Sequence, residues 1–167
     1  MAPEKKSSPV AVIIGSDSDR AVMQNCIEKL LEFEIEPVVR VISAHRTPQA
    51  AADFSQSAAR QGIKVIIAAA GMAAHLAGAL AARTTLPVIG VPIAAKQGLG
   101  GLDALLSTVQ MPAGVPVATV AIGKAGAKNA AVLAVEILAL TDNTLQKKLE
   151  TLKKTHADKS ENQPPTG

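Results

Sequence analysis

Five short runs rich in Val, Ile and Ala alternate with helical stretches between residues 9 and 140, and this alternation limits the fold more than any other feature. The runs are Val10–Ile14, Pro37–Ile42, Val65–Ala70, Val88–Val91 and Val117–Ile122. They lack regular polar alternation, the pattern of strands covered on both faces. In Val22–Leu31 the apolar side chains at 22, 23, 26, 27, 30 and 31 follow helical spacing. Gln49–Gln61, Ala73–Ala82, Leu102–Val109 and Ala127–Leu140 are also predicted helices. Successive βα units imply a parallel sheet with helices on both sides. The expected class is α/β: a three-layer sandwich with a doubly wound, flavodoxin-like parallel sheet of about five strands plus an extra C-terminal helix. A closed eight-stranded barrel would need more chain.

The 167 residues suit a single domain. Residues 1–8 are expected to form a flexible N-terminal segment, and residues 9–140 the α/β catalytic domain. A last helix is predicted over 143–156, with Leu145, Leu149 and Leu152 on one stripe. The domain is complete without it, so residues 141–159 are expected to pack on a neighbouring subunit. The tail 160–167, with Pro164-Pro165, is expected to be disordered.

Composition narrows the function. There is no Trp or Tyr, and Phe33 and Phe54 are the two phenylalanines, so the core is aliphatic and a site built on aromatic stacking is disfavoured. The net charge of +3 concentrates near the ends: Lys5 and Lys6 stand against Glu4, and residues 142–161 carry five Lys against four acids. Without a dense basic face or aromatic platforms, nucleic acid is not an expected partner. Cys26 is the single cysteine, which excludes an internal disulfide and a Cys-rich zinc site. Its place on an apolar helix face reads as a small buried hydrophobe. No apolar run is long enough to span a membrane, and nothing near the start resembles a signal peptide. A cytoplasmic location is expected.

In an open parallel sheet, ligands bind outside the carboxyl ends of the strands. Those ends are Gly15–Asp19, Ser43–Pro48, Ala70–His75 and Pro92–Gly101. In the first loop Gly15 permits a tight turn, while Ser16 and Ser18 offer hydroxyls and N–H groups to an oxyanion. Asp17 and Asp19 would repel a phosphate unless turned elsewhere, though a carboxylate there can accept from ribose hydroxyls. Plain helix capping explains the same residues. The second loop combines a hydroxyl (Ser43), an imidazole (His45) and a guanidinium (Arg46), suited to proton transfer and phosphate binding. Thr47-Pro48 reads as a cap and first helical position. A solvated surface loop is the alternative. The third loop has Gly71, where a ligand can approach the backbone, and His75 in the first turn of the next helix. His75 there is more often structural. Neither a P-loop, a Gly-x-Gly-x-x-Gly fingerprint nor a Gly-x-Ser-x-Gly elbow is present. The three scattered histidines, with His156 on the last helix, form no expected metal site.

Taken in order, Ile14–Asp19, Ser43–Pro48, Ala70–Leu76, Leu86–Pro92 and the stretch from Val109-Gln110-Met111-Pro112 to Asn129-Ala130 resemble the N5-carboxyaminoimidazole ribonucleotide mutase family, the class I catalytic-subunit type of phosphoribosylaminoimidazole carboxylase. The likeness runs from about Val10 to Leu140. It implies an isomerase of de novo purine biosynthesis that moves a carboxylate from N5 to C4 of the imidazole, through decarboxylation and recarboxylation with enclosed CO2. It implies a homo-octamer and no cofactor or metal. By resemblance His45 shuttles the proton, and Ser16 and Asp19 hold the phosphoribosyl group, with Ser18, Ser43, Arg46, Gly71, Ala74 and His75 in the substrate site. Met72 and Ala77 stand where the family commonly has Gly and Pro, and Ala104 where Ser is usual. The loops around His45 and His75 match the mutase branch. The alternatives are a carboxylase using aminoimidazole ribonucleotide and free CO2, and a binding module for a phosphorylated ligand without catalysis.

Overall fold

Alternate residues of the first strand face two different cores. The computed structural model describes residues 8–161. In β1 (Val10–Ile14), Val10, Val12 and Ile14 join one apolar cluster while Ala11 and Ile13 join the other, as the two-residue period of a strand requires. With β2 (Val38–Val41), β3 (Val65–Gly71), β4 (Val88–Ile93) and β5 (Ala118–Thr119) it forms an all-parallel sheet in the order β2-β1-β3-β4-β5. The first cluster is closed by α1 (Arg20–Glu32) and α5 (Gly123–Ala139), the second by α2 (Pro48–Ala58) and α3 (Leu76–Ala81). Helix α4 (Leu102–Val109) lies beside α3 and against β4. Helices thus cover both faces, as the alternation of the sequence predicts.

Two of the strands are less covered than their composition suggests. β2 and β5 are the sheet edges and carry half-buried or exposed residues, Arg40, Val41 and Ala118 among the exposed. The run Val117–Ile122 keeps only two residues in the ladder, plus one hydrogen bond from Val120 N–H to the Gly90 carbonyl at 3.1 Å. Helix α3 is shorter than the predicted Ala73–Ala82. Met72 takes a left-handed backbone (φ 52°), and the N–H groups of Ala74 and His75 donate two residues back, to Met72 and Ala73. The helix therefore begins only after His75.

The last helix is α6 (Asn143–Glu161). Its leucine stripe finds its partner within the chain: Leu149 is buried in the α1–α5 cluster, and Leu145 and Leu152 pack against it. Lys148 also pairs with Glu34 at 2.9 Å. Glu34 sits at the left-handed turn (φ 63°) that ends α1, where its N–H and that of Ile35 donate to the Leu31 and Leu30 carbonyls, the usual two-bond closure of a helix C-terminus. The tail expected to be disordered from Ser160 is helical through Glu161, and 162–167 lie outside the described residues. So does most of the segment 1–8, expected to be flexible. Among the described residues no helix is long and apolar enough to cross a membrane.

Because Leu149 is 5% exposed, Leu149→Ala leaves a cavity between α6 and the first cluster. The substitution should cost about 2–4 kcal/mol, seen as a lower urea midpoint at unchanged slope. A loss below about 0.5 kcal/mol would mean that α6 contributes no packing to the single chain.

Candidate active site

The carboxyl ends of β1, β2 and β3 leave the sheet at nearly the same level. Gly15 N–H still donates to the Ala69 carbonyl at 2.8 Å, and Ile42 N–H to that of Ile14 at 2.9 Å, each one residue beyond its strand. The three following loops therefore rise side by side. They enclose a cleft of about 100 Å³ lined by Gly15, Ser16 and Asp19 of the first loop, Ser43, Ala44 and His45 of the second, and Ala70, Gly71, Ala73, His75 and Leu76 of the third. A Cβ on Gly15 would stand 3.2 Å from that of Ala70 and one on Gly71 3.1 Å from the Ile93 carbonyl oxygen, so both positions are tight for any side chain.

The first loop closes into a single 3-10 turn, Asp17–Asp19, with Ser16 as its cap. Ser16 Oγ accepts from Ser18 N–H at 3.4 Å and lies 3.0 Å from Ser18 Oγ, which in turn is 3.2 Å from Asp19 Oδ1. Capping and site-building are thus done by the same hydroxyl. The two aspartates part company. Asp17 is exposed and paired with Arg20 at 3.0 Å, outside the cleft lining, whereas Asp19 is buried within it. Burial raises the Asp19 carboxyl above its ordinary 3.8, and the hydroxyl of Ser18 offsets this only in part.

In the second loop Thr47 precedes α2, and Pro48 takes the first helical position as the sequence suggests. Its side chain does not cap the helix. Thr47 Oγ1 instead donates to the Ser43 carbonyl at 2.9 Å and accepts from Ser43 N–H at 3.2 Å, while Ser43 Oγ accepts from Arg46 N–H at 3.2 Å. The turn carrying His45 is thereby fixed by its own hydroxyls. From the third loop His75 reaches back to it: His45 Nε2 and His75 Nδ1 are 2.8 Å apart, with the rings nearly perpendicular.

Of the residues expected in the site, Ser16, Asp19, Ser43, His45, Gly71 and His75 line one cleft. Ser18 stands behind Ser16 and Asp19 through its hydrogen bonds. Arg46 is exposed outside the lining, and Ala74 is buried. The small wall residues Ala44, Ala70 and Ala73 lie inside the loops already marked by their polar neighbours. The fourth strand end, Pro92–Gly101, supplies no lining residue. The pairing of two histidines 30 positions apart has no sequence signal. Cys26 is fully buried in the first cluster, and burial pushes its thiol up to about 12. Among the described residues no three His, Cys, Asp or Glu side chains come together as a metal-binding group.

The description "AIR carboxylase" belongs to the family model that matches residues 9–159. The chain is 52% identical to the N5-carboxyaminoimidazole ribonucleotide mutase of Mycobacterium tuberculosis over 158 residues, 95% of this chain and 89% of that protein. Against the Escherichia coli K12 protein of the same name it is 47% identical over 168 residues, covering 100% of this chain and 99% of the other. The crystal structure of Treponema denticola PurE superposes with a TM-score of 0.80 at 27% identity, over 90% of this chain and 92% of that one.

A buried carboxylate with a raised pKa is held at a cost. The folded chain binds that proton more tightly than the unfolded chain, so stability falls as pH rises from about 3.8 through the folded value, and the deficit persists at neutral pH. Asp19→Asn should therefore melt higher than the parent at pH 7, with the gap closing below the unfolded carboxyl range. A lower melting temperature at pH 7 would show that the Ser18 hydrogen bond outweighs the burial.

Proposed function

The chain belongs to the AIR carboxylase family and serves as an N5-carboxyaminoimidazole ribonucleotide mutase in purine biosynthesis, and we propose that the cleft between the first three loops is where the isomerisation occurs. The observation that carries this assignment is that Ser16, Asp19, Ser43, His45 and His75 line one cleft at the carboxyl ends of the strands. The cleft is too small for a whole ribonucleotide, so the reacting end of the substrate enters while the rest lies along the rim.

In this reading Ser16 and Asp19 face the phosphoribosyl group with Ser18 supporting them from behind, Ser43, Gly71 and His75 complete the pocket, and Ala74 backs the third loop. Arg46 reaches the phosphate from outside the lining, a charge-assisted contact suited to a long flexible arm. His45 gives a proton to N5 as its carboxylate departs as CO2, leaving an electron-rich aminoimidazole. C4 then attacks the CO2, and the proton lost from C4 returns to His45 and restores the aromatic ring. One imidazole suits both steps because it can give and take a proton near neutral pH. Holding CO2 against Ala70, Gly71 and Ala73 replaces a chance encounter by a positioned one.

Octameric assembly and a cytoplasmic location belong to the same reading. Four large apolar side chains on or beside α4, Leu99, Leu102, Leu106 and Val109, are exposed in the single chain and support burial between subunits. The lone buried thiol of Cys26 suits a reducing compartment.

The competing reading is a carboxylase that captures dissolved CO2, and the origin of the carboxyl carbon separates the two. Unlabelled N5-carboxyaminoimidazole ribonucleotide turned over in labelled bicarbonate should give product almost free of label in early turnover. Rapid labelling to the solution ratio, with efficient use of the uncarboxylated ribonucleotide at modest bicarbonate, would make the chain a carboxylase. His45→Asn should abolish turnover while changing ribonucleotide affinity by less than about tenfold, or roughly 1.4 kcal/mol. A fully active variant would remove His45 from the chemistry.

A further inference from the structure

We propose that His75 is a positioning residue that holds Nε2–H of His45, so that Nδ1 is the nitrogen through which His45 first gives and then takes the proton. The inference rests on the isomerase reading for its consequence but not for its geometry. His45 Nε2 and His75 Nδ1 are 2.8 Å apart, a distance that holds one proton between two nitrogens. In one arrangement His45 donates from Nε2, and both rings are then Nε2–H tautomers. In the other His75 donates from Nδ1, and both rings are Nδ1–H tautomers. The Nε2–H form is the intrinsically favoured one of a free histidine, so the first arrangement is favoured at both rings. It leaves Nδ1 of His45 as the nitrogen free to exchange a proton with the substrate, with the ring held by a bond from another loop.

The same contact acts again when His45 carries its extra proton. The Nε2–H of the imidazolium then donates to the neutral Nδ1 of His75, a charge-assisted bond stronger than the neutral one. Two imidazolium rings cannot share this contact, because both nitrogens would bear hydrogens. Among the described residues, Asp19 of the first loop is the one Asp, Glu, Lys or Arg that lines the cleft. Arg46, next to His45, lies outside it, and the third loop offers no charged group besides His75. His75 Nδ1 is the partner that His45 Nε2 has in the cleft.

Two measurements test this. With histidine labelled in both ring nitrogens, long-range 15N–1H correlation on the neutral rings should find Nε2 of His45 protonated and its Nδ1 bare, and the same pattern for His75. Nδ1–H forms at both rings would overturn the proposal whatever the reaction. In kinetics, His75→Leu removes the acceptor and should lower kcat about tenfold or more with KM changed less than kcat. His75→Asn places Oδ1 where Nδ1 stood, so it should recover much of that loss. A raised KM at preserved kcat in His75→Leu would make His75 a substrate contact instead, and equal kcat in the Leu and Asn variants would remove the acceptor role. Melting temperatures of both variants should match the parent, since His75 is exposed. If the parent itself fails to isomerise the ribonucleotide while the nitrogen pattern is as expected, the reaction assignment falls and the pairing stands.

Discussion

The pairing of β1 with β3 is the constraint on which the rest depends. Five consecutive pairs, from Val10↔Val65 to Ile14↔Ala69, bind the first strand to one that follows it by more than fifty residues. On the other side β1 holds β2. The chain thus leaves β1 toward one edge and returns past it toward the other, which makes the end of β1 the switch point where an open α/β sheet forms its crevice. All five residues of β1 are fully buried. Such a strand cannot slip by one residue without exchanging Val12 and Ile14 for Ala11 and Ile13 between the two cores. Burial of the centre therefore fixes the height at which the polar loops emerge.

The loops use a different set of forces. All are short, and the first two are held by local hydrogen bonds between hydroxyls and backbone: Ser16 with Ser18, Thr47 with Ser43, Ser43 with Arg46. Bonds of this kind compete with regular helix and strand geometry, and they succeed at element ends where backbone groups are otherwise unpaired. The third loop instead keeps a left-handed non-glycine residue, Met72, which costs on the order of 1 kcal/mol. That turn delays α3 and leaves His75 just ahead of the helix, in reach of His45. A buried Asp19 adds a second cost. Asp19 lines the cleft and Met72 lies in the loop beside it, whereas the strands beneath carry neither cost, so the apolar frame offsets what the loops require.

What was legible in the sequence follows this division. The strands of the sheet and most helices could be read because burial on two faces leaves a continuous apolar run and burial on one face leaves a helical stripe. The edges were misjudged, since Val117–Ile122 looks like a central strand although only Ala118–Thr119 pair. Composition does not say whether a neighbour exists on the far side. The leucine stripe of α6 is legible as apolar, but nothing local tells that α1 and α5 leave room for Leu149 within the chain. In the cleft, hydroxyls, histidine and glycine at strand ends pointed to the three loops. Which aspartate turns inward has no sequence signal, because both stand in the same 3-10 turn and differ only in where that turn points them: Asp17 outward beside Arg20, Asp19 into the cleft.

The histidine contact depends on strand spacing. His45 follows β2 and His75 follows β3, and β1 lies between those two strands. Strands are spaced by about 4.8 Å, so the two loops start roughly 10 Å apart, a gap that long side chains from both sides can bridge. Beneath that bridge the chain leaving β1 begins with Gly15 and Ser16, among the smallest residues available, and the space they leave is the cleft itself. A bulky residue at the end of β1 would fill it and push the imidazoles apart. A neighbouring pair of strands would bring the histidines together without leaving room below. The order of strands, set by apolar burial, thus fixes both the distance over which the pair must reach and the volume enclosed under it.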